Sequence, residues 1–162
     1  MPTSAPTTSS PPGLQPWRPQ KALAVTADAA YATTTPETRH RDGLAVQKSI
    51  FGDVIDAMYA DSSRDQRHVQ RYLSANCFGD YYTRTGLDIP TRELVTFAML
   101  VAMGGCEPQL RGHIRGNLNV GNEEAILLAV VTQLLPYVGY PRALNVISCL
   151  NEVIPEPSQP RH

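Results

Sequence analysis

Cysteine is scarce in this sequence, and its three copies are scattered. Cys77, Cys106 and Cys149 form an odd set with no CxxC spacing, unlike a disulfide framework, so a reducing, cytoplasmic setting is expected. The histidines at 40, 68, 113 and 162 include no HExxH pair. A structural zinc or a protein-built catalytic metal site is therefore not expected. Charge of one sign is also lacking, since Lys and Arg number 14 against 15 for Asp and Glu, a net of −1. That balance removes the electrostatic case for nucleic acid or an anionic membrane as partner. No apolar run reaches the roughly 18 residues a membrane-spanning helix needs. The opening MPTSAPTTSSPPGLQPW has no basic segment followed by an apolar one, so it does not read as a secretory signal. Apolar–polar alternation bounded by hairpin turns is missing throughout, which points away from strands.

What remains is helical. A length of 162 residues with 42% hydrophobic content suits one domain with one core. Residues 1–40 are rich in Pro, Ser, Thr and Ala without a sustained period; such a segment buries too little to offset its ordering entropy and is expected to be mostly flexible. Its Trp17 either docks on the body or a neighbouring subunit or stays unattached. A helical domain follows over residues 41–154, then a short tail over 155–162.

Within that domain Ile50, Phe51, Val54, Ile55 and Met58 form one stripe of an amphipathic helix. Val69, Tyr72, Leu73, Asn76 and Cys77 repeat the spacing in a second. Pro90 suits the first turn of a third helix, whose LVTFAMLVAM is apolar almost all round and which ends at Gly104 and Gly105. A fourth starts near Cys106, with Pro108 in its first turn and Gly121 beyond its end. Asn122 is placed to cap a fifth helix, AILLAVV, also apolar on every side. Pro136 and Gly139 break the chain before a sixth that opens at Pro141 and carries Ala143, Val146, Ile147, Leu150 and Val153. The expected class is all-α, a compact bundle of about six helices. Two helices apolar all round are a lot for so small a body, so an oligomer is expected.

The fourth helix carries the side chains with chemistry. At about 100° per residue Cys106, Gln109, Leu110, His113 and Asn117 share one stripe, while Glu107, Arg111 and Arg115 turn away. A thiol, an amide and an imidazole on an inward face cost free energy unless paired, a cost tolerated at functional sites. Spacing alone leaves a second reading open: a single inward His is often a hydrogen-bonded core residue, and a single inward Cys a small hydrophobe. Glu93, in the first turn of the third helix, reads from pattern alone first as an ordinary dipole-stabilising carboxylate.

The segments FGDYYTRTGLDIPTRELVTFAMLVAMGG, QLRGHIRGNLNVGNEEAI and LLPYVGYPRALNVI together resemble the carboxymuconolactone decarboxylase family in order and spacing, over roughly residues 41–154. The resemblance implies an alkylhydroperoxidase-like fold that assembles into trimers or hexamers with sites at subunit boundaries. It also implies two chemistries. One branch decarboxylates a carboxylated unsaturated lactone without metal or organic cofactor. The other does thiol redox work with a Cys-x-x-Cys pair, a histidine four residues on and a preceding glutamate. Glu93, Cys106 and His113 match that second set by position, but Gln109 stands where its second cysteine would be, so the redox disulfide cannot form. Against the decarboxylase branch, His113 matches the family histidine, and Arg84, Gly86, Leu87, Tyr137, Gly139 and Pro141 match its framework. Gln109 replaces an acidic residue there, Cys106 a basic or polar one, and Asn117 a small one.

The expected function is therefore cofactor-independent decarboxylation, or related proton transfer, on a small unsaturated ring acid. His113 is expected as general acid, with Glu93 fixing its ring. Cys106, Tyr82 and Tyr137 would shape the pocket, with Gln109 and Asn117 beside them, and Arg84 would receive a substrate carboxylate. The alternatives are thiol chemistry at Cys106, its pKa lowered by a helix N-terminus and by His113, and a non-catalytic binding or assembly module.

Overall fold

The computed structural model describes residues 33–155, and among these the regular structure is helical with no strand. Trp17 and most of the 1–40 and 155–162 segments lie outside the described residues. The chain is already held before residue 41: the Thr33 and Thr34 hydroxyls donate to the Thr83 and Gly79 carbonyls at 2.9 Å each. Helix α1 then starts at Arg39, earlier than the sequence boundary, and runs Arg39–Phe51.

Gly52, at φ 69°, ends α1, and α2 (Val54–Asp61) starts after it. The continuous stripe from Ile50 to Met58 is thus divided between two helices. Helix α3 (Arg67–Tyr72) passes directly into a π-helix, Leu73–Tyr82. Its i→i+5 bonding turns the face inherited from α3. Ser74, Phe78, Gly79 and Tyr82 are the residues buried, while Val69, Tyr72 and Leu73 of the expected stripe are exposed.

Helix α4 (Ile89–Met103) is opened by Asp88, whose side chain accepts from the Thr91 N–H at 2.9 Å, with Pro90 in its first turn; both features suit a helix start. Helix α5 (Glu107–Asn119) keeps Pro108 near its start, and Gly121 follows its end at φ 95°. Helix α6 (Glu124–Val153) is bent at Gly139, φ 75° and ψ 167°, between Pro136 and Pro141, where the sequence places a break between two helices. Asn122 does not cap α6. Its amide instead donates to the Pro90 carbonyl and to Asn117 Oδ1, both at 2.8 Å. Arg111 pairs with Glu152 at 2.5 Å rather than with Glu107, because α6 lies alongside.

Two apolar clusters form the interior. Phe97 and Val101 of α4, Leu110 and Ile114 of α5, and Leu127, Val131, Val146 and Leu150 of α6 make the larger one. Full burial of such side chains contributes roughly 1.5–3 kcal/mol each. Ile50, Phe78 and Tyr82 join α1 to the π-helix in the smaller one. The two helices that read as apolar all round are not buried all round within one chain. Helix α4 buries Glu93, Phe97 and Val101 but exposes Val95, Met99 and Met103, and the first half of α6 buries only Leu127 and Val131. By length and composition alone α6 is sufficient to cross a bilayer, contrary to the run-length reading. It is bent at Gly139 and packs one narrow face on α4 and α5, while most of its apolar stretch is uncovered in the single chain.

Candidate active site

Glu93 and His113 come from neighbouring helices and meet inside the protein. His113 Nδ1 lies 2.8 Å from Glu93 Oε2, with the glutamate side chain fully buried and the imidazole 19% exposed. Close approach of α5 to this point depends on Gly116. A Cβ there would stand 2.8 Å from Glu93 Oε2 and 2.6 Å from a ring carbon of Phe51. Phe51 in turn meets the His113 ring edge to face, centroids 5.3 Å apart, which fixes the plane of the imidazole. Asn117 locks the two helices: its amide donates to the Glu93 carbonyl at 3.1 Å and to the His113 carbonyl at 2.7 Å.

Because Nδ1 is engaged inside, His113 presents Nε2 to a cavity of about 290 Å³, a size suited to a small ring compound. Its walls are mostly apolar, from Phe51, Val54, Ile55, Leu73 and Phe78, with Gln47, Cys77, Thr96, Gln109 and Gly112 completing the lining. Glu93 Oε1 is buried and has no hydrogen-bond partner among the described residues. An unpaired buried carboxylate oxygen is costly, and such a cost is kept where a site uses it. Burial, and then the charge of Glu93, push the Cys77 thiol above its ordinary pKa. Burial likewise raises the Tyr82 phenol, with Glu93 adding to the effect. Both groups therefore stay neutral around the site at physiological pH.

The sequence-derived candidates separate into three positions. Glu93 and His113 form the pair, and Gln109 sits exposed at the cavity rim. Asn117 and Tyr82 stand behind the site. Asn117 clamps the pair, and the Tyr82 hydroxyl lies 2.6 Å from that of Thr96, which does line the cavity. Cys106, Arg84 and Tyr137 are elsewhere. Cys106 lines a separate shallow depression with Leu100, Leu110 and Arg142, and its thiol donates to the Leu100 carbonyl at 3.5 Å. Burial and the neighbouring Glu107 raise its pKa, the opposite of the expected lowering. Arg84 lies in the turn before α4, where its carbonyl accepts from Arg92 at 2.6 Å. Tyr137 is 80% exposed beside the bend of α6.

Sequence reasoning missed the α1 wall. Gln47 and Phe51 both line the cavity, yet a Gln between Val46 and Lys48 looks like any solvent-facing helix position. Its burial on the same side as Ile50, three residues on, was the available signal.

The Carboxymuconolactone decarboxylase family model matches residues 67–152, which include Glu93 and His113. A 4-carboxymuconolactone decarboxylase of Acinetobacter baylyi is 30% identical over 118 residues, covering 72% of this chain and 87% of that protein. With more than half of the chain under the family model, and most of that relative's length matched in one alignment, the chain belongs to the carboxymuconolactone decarboxylase family.

Proposed function

We propose that the protein decarboxylates a small unsaturated ring acid, such as a carboxymuconolactone, with His113 as general acid. The observation that carries this reading is the Glu93–His113 hydrogen bond at a mostly apolar cavity. Loss of carbon dioxide leaves an electron pair that a conjugated carbonyl absorbs, and the resulting carbanion equivalent needs one proton. Nε2 of His113 supplies it while Glu93 holds Nδ1–H in place. Apolar walls destabilise the localised charge of the bound carboxylate more than the spread charge that replaces it. The conjugated substrate is its own electron sink, so the proposed reaction requires no metal or organic cofactor.

The test is direct. Purified protein given 4-carboxymuconolactone should release carbon dioxide, followed as dissolved gas and as loss of substrate absorbance. With a hydroperoxide and a dithiol reductant it should show no comparable turnover. Peroxide reduction in the absence of carbon dioxide release would put the thiol reading in its place.

We also propose that the protein works as a homotrimer or larger ring. Val95, Met99 and Met103 recur every four residues along α4 and are 45%, 54% and 65% exposed, a stripe that a second copy would cover. Light scattering coupled to gel filtration should give at least three times the 17.7 kDa chain mass. A monodisperse monomer at micromolar concentration would defeat the proposal.

A further inference from the structure

Gln47 stands out in the cavity wall because it is buried, polar and only half used. The residue is 2% exposed and lines the same cavity as His113. Its Oε1 accepts from the Ser74 hydroxyl at 2.6 Å, and Ser74 Oγ lies 2.8 Å from the Tyr59 hydroxyl. Tyr59 is itself within 3.0 Å of the Gln70 carbonyl. Each hydroxyl has one proton: Ser74 spends its own on Gln47 Oε1, and the Tyr59 proton is shared between the Gln70 carbonyl and Ser74 Oγ, a network that holds the amide from outside the cavity. The amide nitrogen of Gln47 forms no hydrogen bond among the described residues. Among the described residues the fully enclosed unpaired side-chain atom is Glu93 Oε1 and not this nitrogen, so the Gln47 N–H groups are open to the cavity and to an acceptor that arrives with a ligand.

Resting on the decarboxylase reading above, we infer that Gln47 is a substrate-contacting residue that donates to the carbonyl oxygen on which negative charge develops. As the ring carboxylate leaves as carbon dioxide, the electron pair of the breaking carbon–carbon bond moves into the conjugated carbonyl. Its oxygen becomes an enolate anion, and a Gln47 N–H donates to that oxygen. His113 Nε2 then delivers its proton to the ring carbon, collapsing the enolate, and is reprotonated by water. A neutral amide fits this task better than a cation. It strengthens its bond as charge builds on the oxygen, whereas a cation on the carboxylate would favour the ground state that must be lost. Ser74 and Tyr59 are positioning residues, since they act on substrate only through the amide.

The experiment has two arms. In the first, the side-chain amide signal of Gln47, assigned by its loss in Gln47→Leu or Gln47→Glu, is followed in ¹⁵N-labelled wild-type protein. The probe is paraconic acid, a saturated lactone acid that has no conjugated carbonyl to absorb the electron pair. The Gln47 signal should move on titration to saturation. In the second arm, Gln47→Leu should lower kcat on 4-carboxymuconolactone on the order of 100-fold, with KM changed by less than about threefold. Gln47→Glu, which keeps an oxygen for Ser74 but sets an anion beside the enolate, should fall further. Ser74→Ala should fall less than either, because the amide is kept but loosened. An unmoved Gln47 signal, or Gln47→Leu with wild-type kcat, overturns the inference. If wild type releases no carbon dioxide while the Gln47 signal moves, the decarboxylase reading fails and the enolate-donor role falls with it, leaving Gln47 as a ligand contact.

Discussion

His113→Ala will lose on the order of 100-fold or more in kcat for carbon dioxide release, the usual cost of removing a general acid. Cys106→Ser will keep most of its turnover. The contrast follows from where the two side chains are. His113 holds Nδ1 on Glu93 and faces the cavity, whereas Cys106 lines a different depression with its thiol on the Leu100 carbonyl. Burial and Glu107 keep that thiol protonated, so it is a poor nucleophile at neutral pH. Removing the imidazole also strips Glu93 Oε2 of its partner and Phe51 of its edge-to-face contact. His113→Gln therefore belongs in the same experiment. It can still donate to Glu93 but cannot act as an acid, so it should melt nearer to wild type than His113→Ala and remain inactive. If Cys106→Ser is inactive and His113→Ala nearly wild type, the assignment of the acid is wrong.

The largest stability effect is expected at Gly43 of α1. A Cβ there would lie 2.0 Å from the Ser74 carbonyl oxygen, 2.4 Å from the Gly79 nitrogen and 2.7 Å from its Cα. All three are backbone atoms of the π-helix, so no side chain can swing aside. Gly79 answers it, with a Cβ site 2.1 Å from the Arg39 carbonyl oxygen. The two helices touch main chain to main chain, and a single methyl must push them apart. Gly43→Ala should cost about 3 kcal/mol or more, at or beyond the upper end of ordinary overpacking. That corresponds to a fall in Tm of about 10 °C or more, read by thermal denaturation. Gly112→Ala on α5 is the control, since nothing lies within 4 Å of its Cβ site; it should gain roughly 0.5–1 kcal/mol from helix propensity. Equal melting of the two variants would show that α1 and the π-helix can separate at little cost.

The contrast between Glu93–His113 and Gln47 shows which contacts a sequence makes legible. The pair is legible because it sits in a motif with fixed spacing, and α4 and α5 begin and end where Pro90, Gly104, Pro108 and Gly121 place them. Cys106 misled because stripe arithmetic assumes helical geometry at every position. It is the residue before the helix, at φ −132° and ψ 38°, so its side chain leaves the stripe. The second helix misled for a related reason. Counting every 100° past Tyr72 ignores a π segment, which no residue in Leu73–Tyr82 announces. Gln47, Ser74 and Tyr59 were hidden because polar residues in amphipathic helices are ordinarily solvent-facing, and only three-dimensional packing shows them paired inside. The oligomer face has the converse problem. An apolar stripe is visible in α4, but sequence does not distinguish a core contact from a contact between chains.

The cavity is assembled from two stretches of chain. Glu93 and His113 belong to α4 and α5, inside the family match at residues 67–152. Gln47 and Phe51 belong to α1, which precedes it. Substitutions in α1 thus reach the cavity wall while leaving Glu93 and His113 themselves unchanged. On the proposed function, ring acceptance and turnover would both respond to changes in a helix that the family model leaves out.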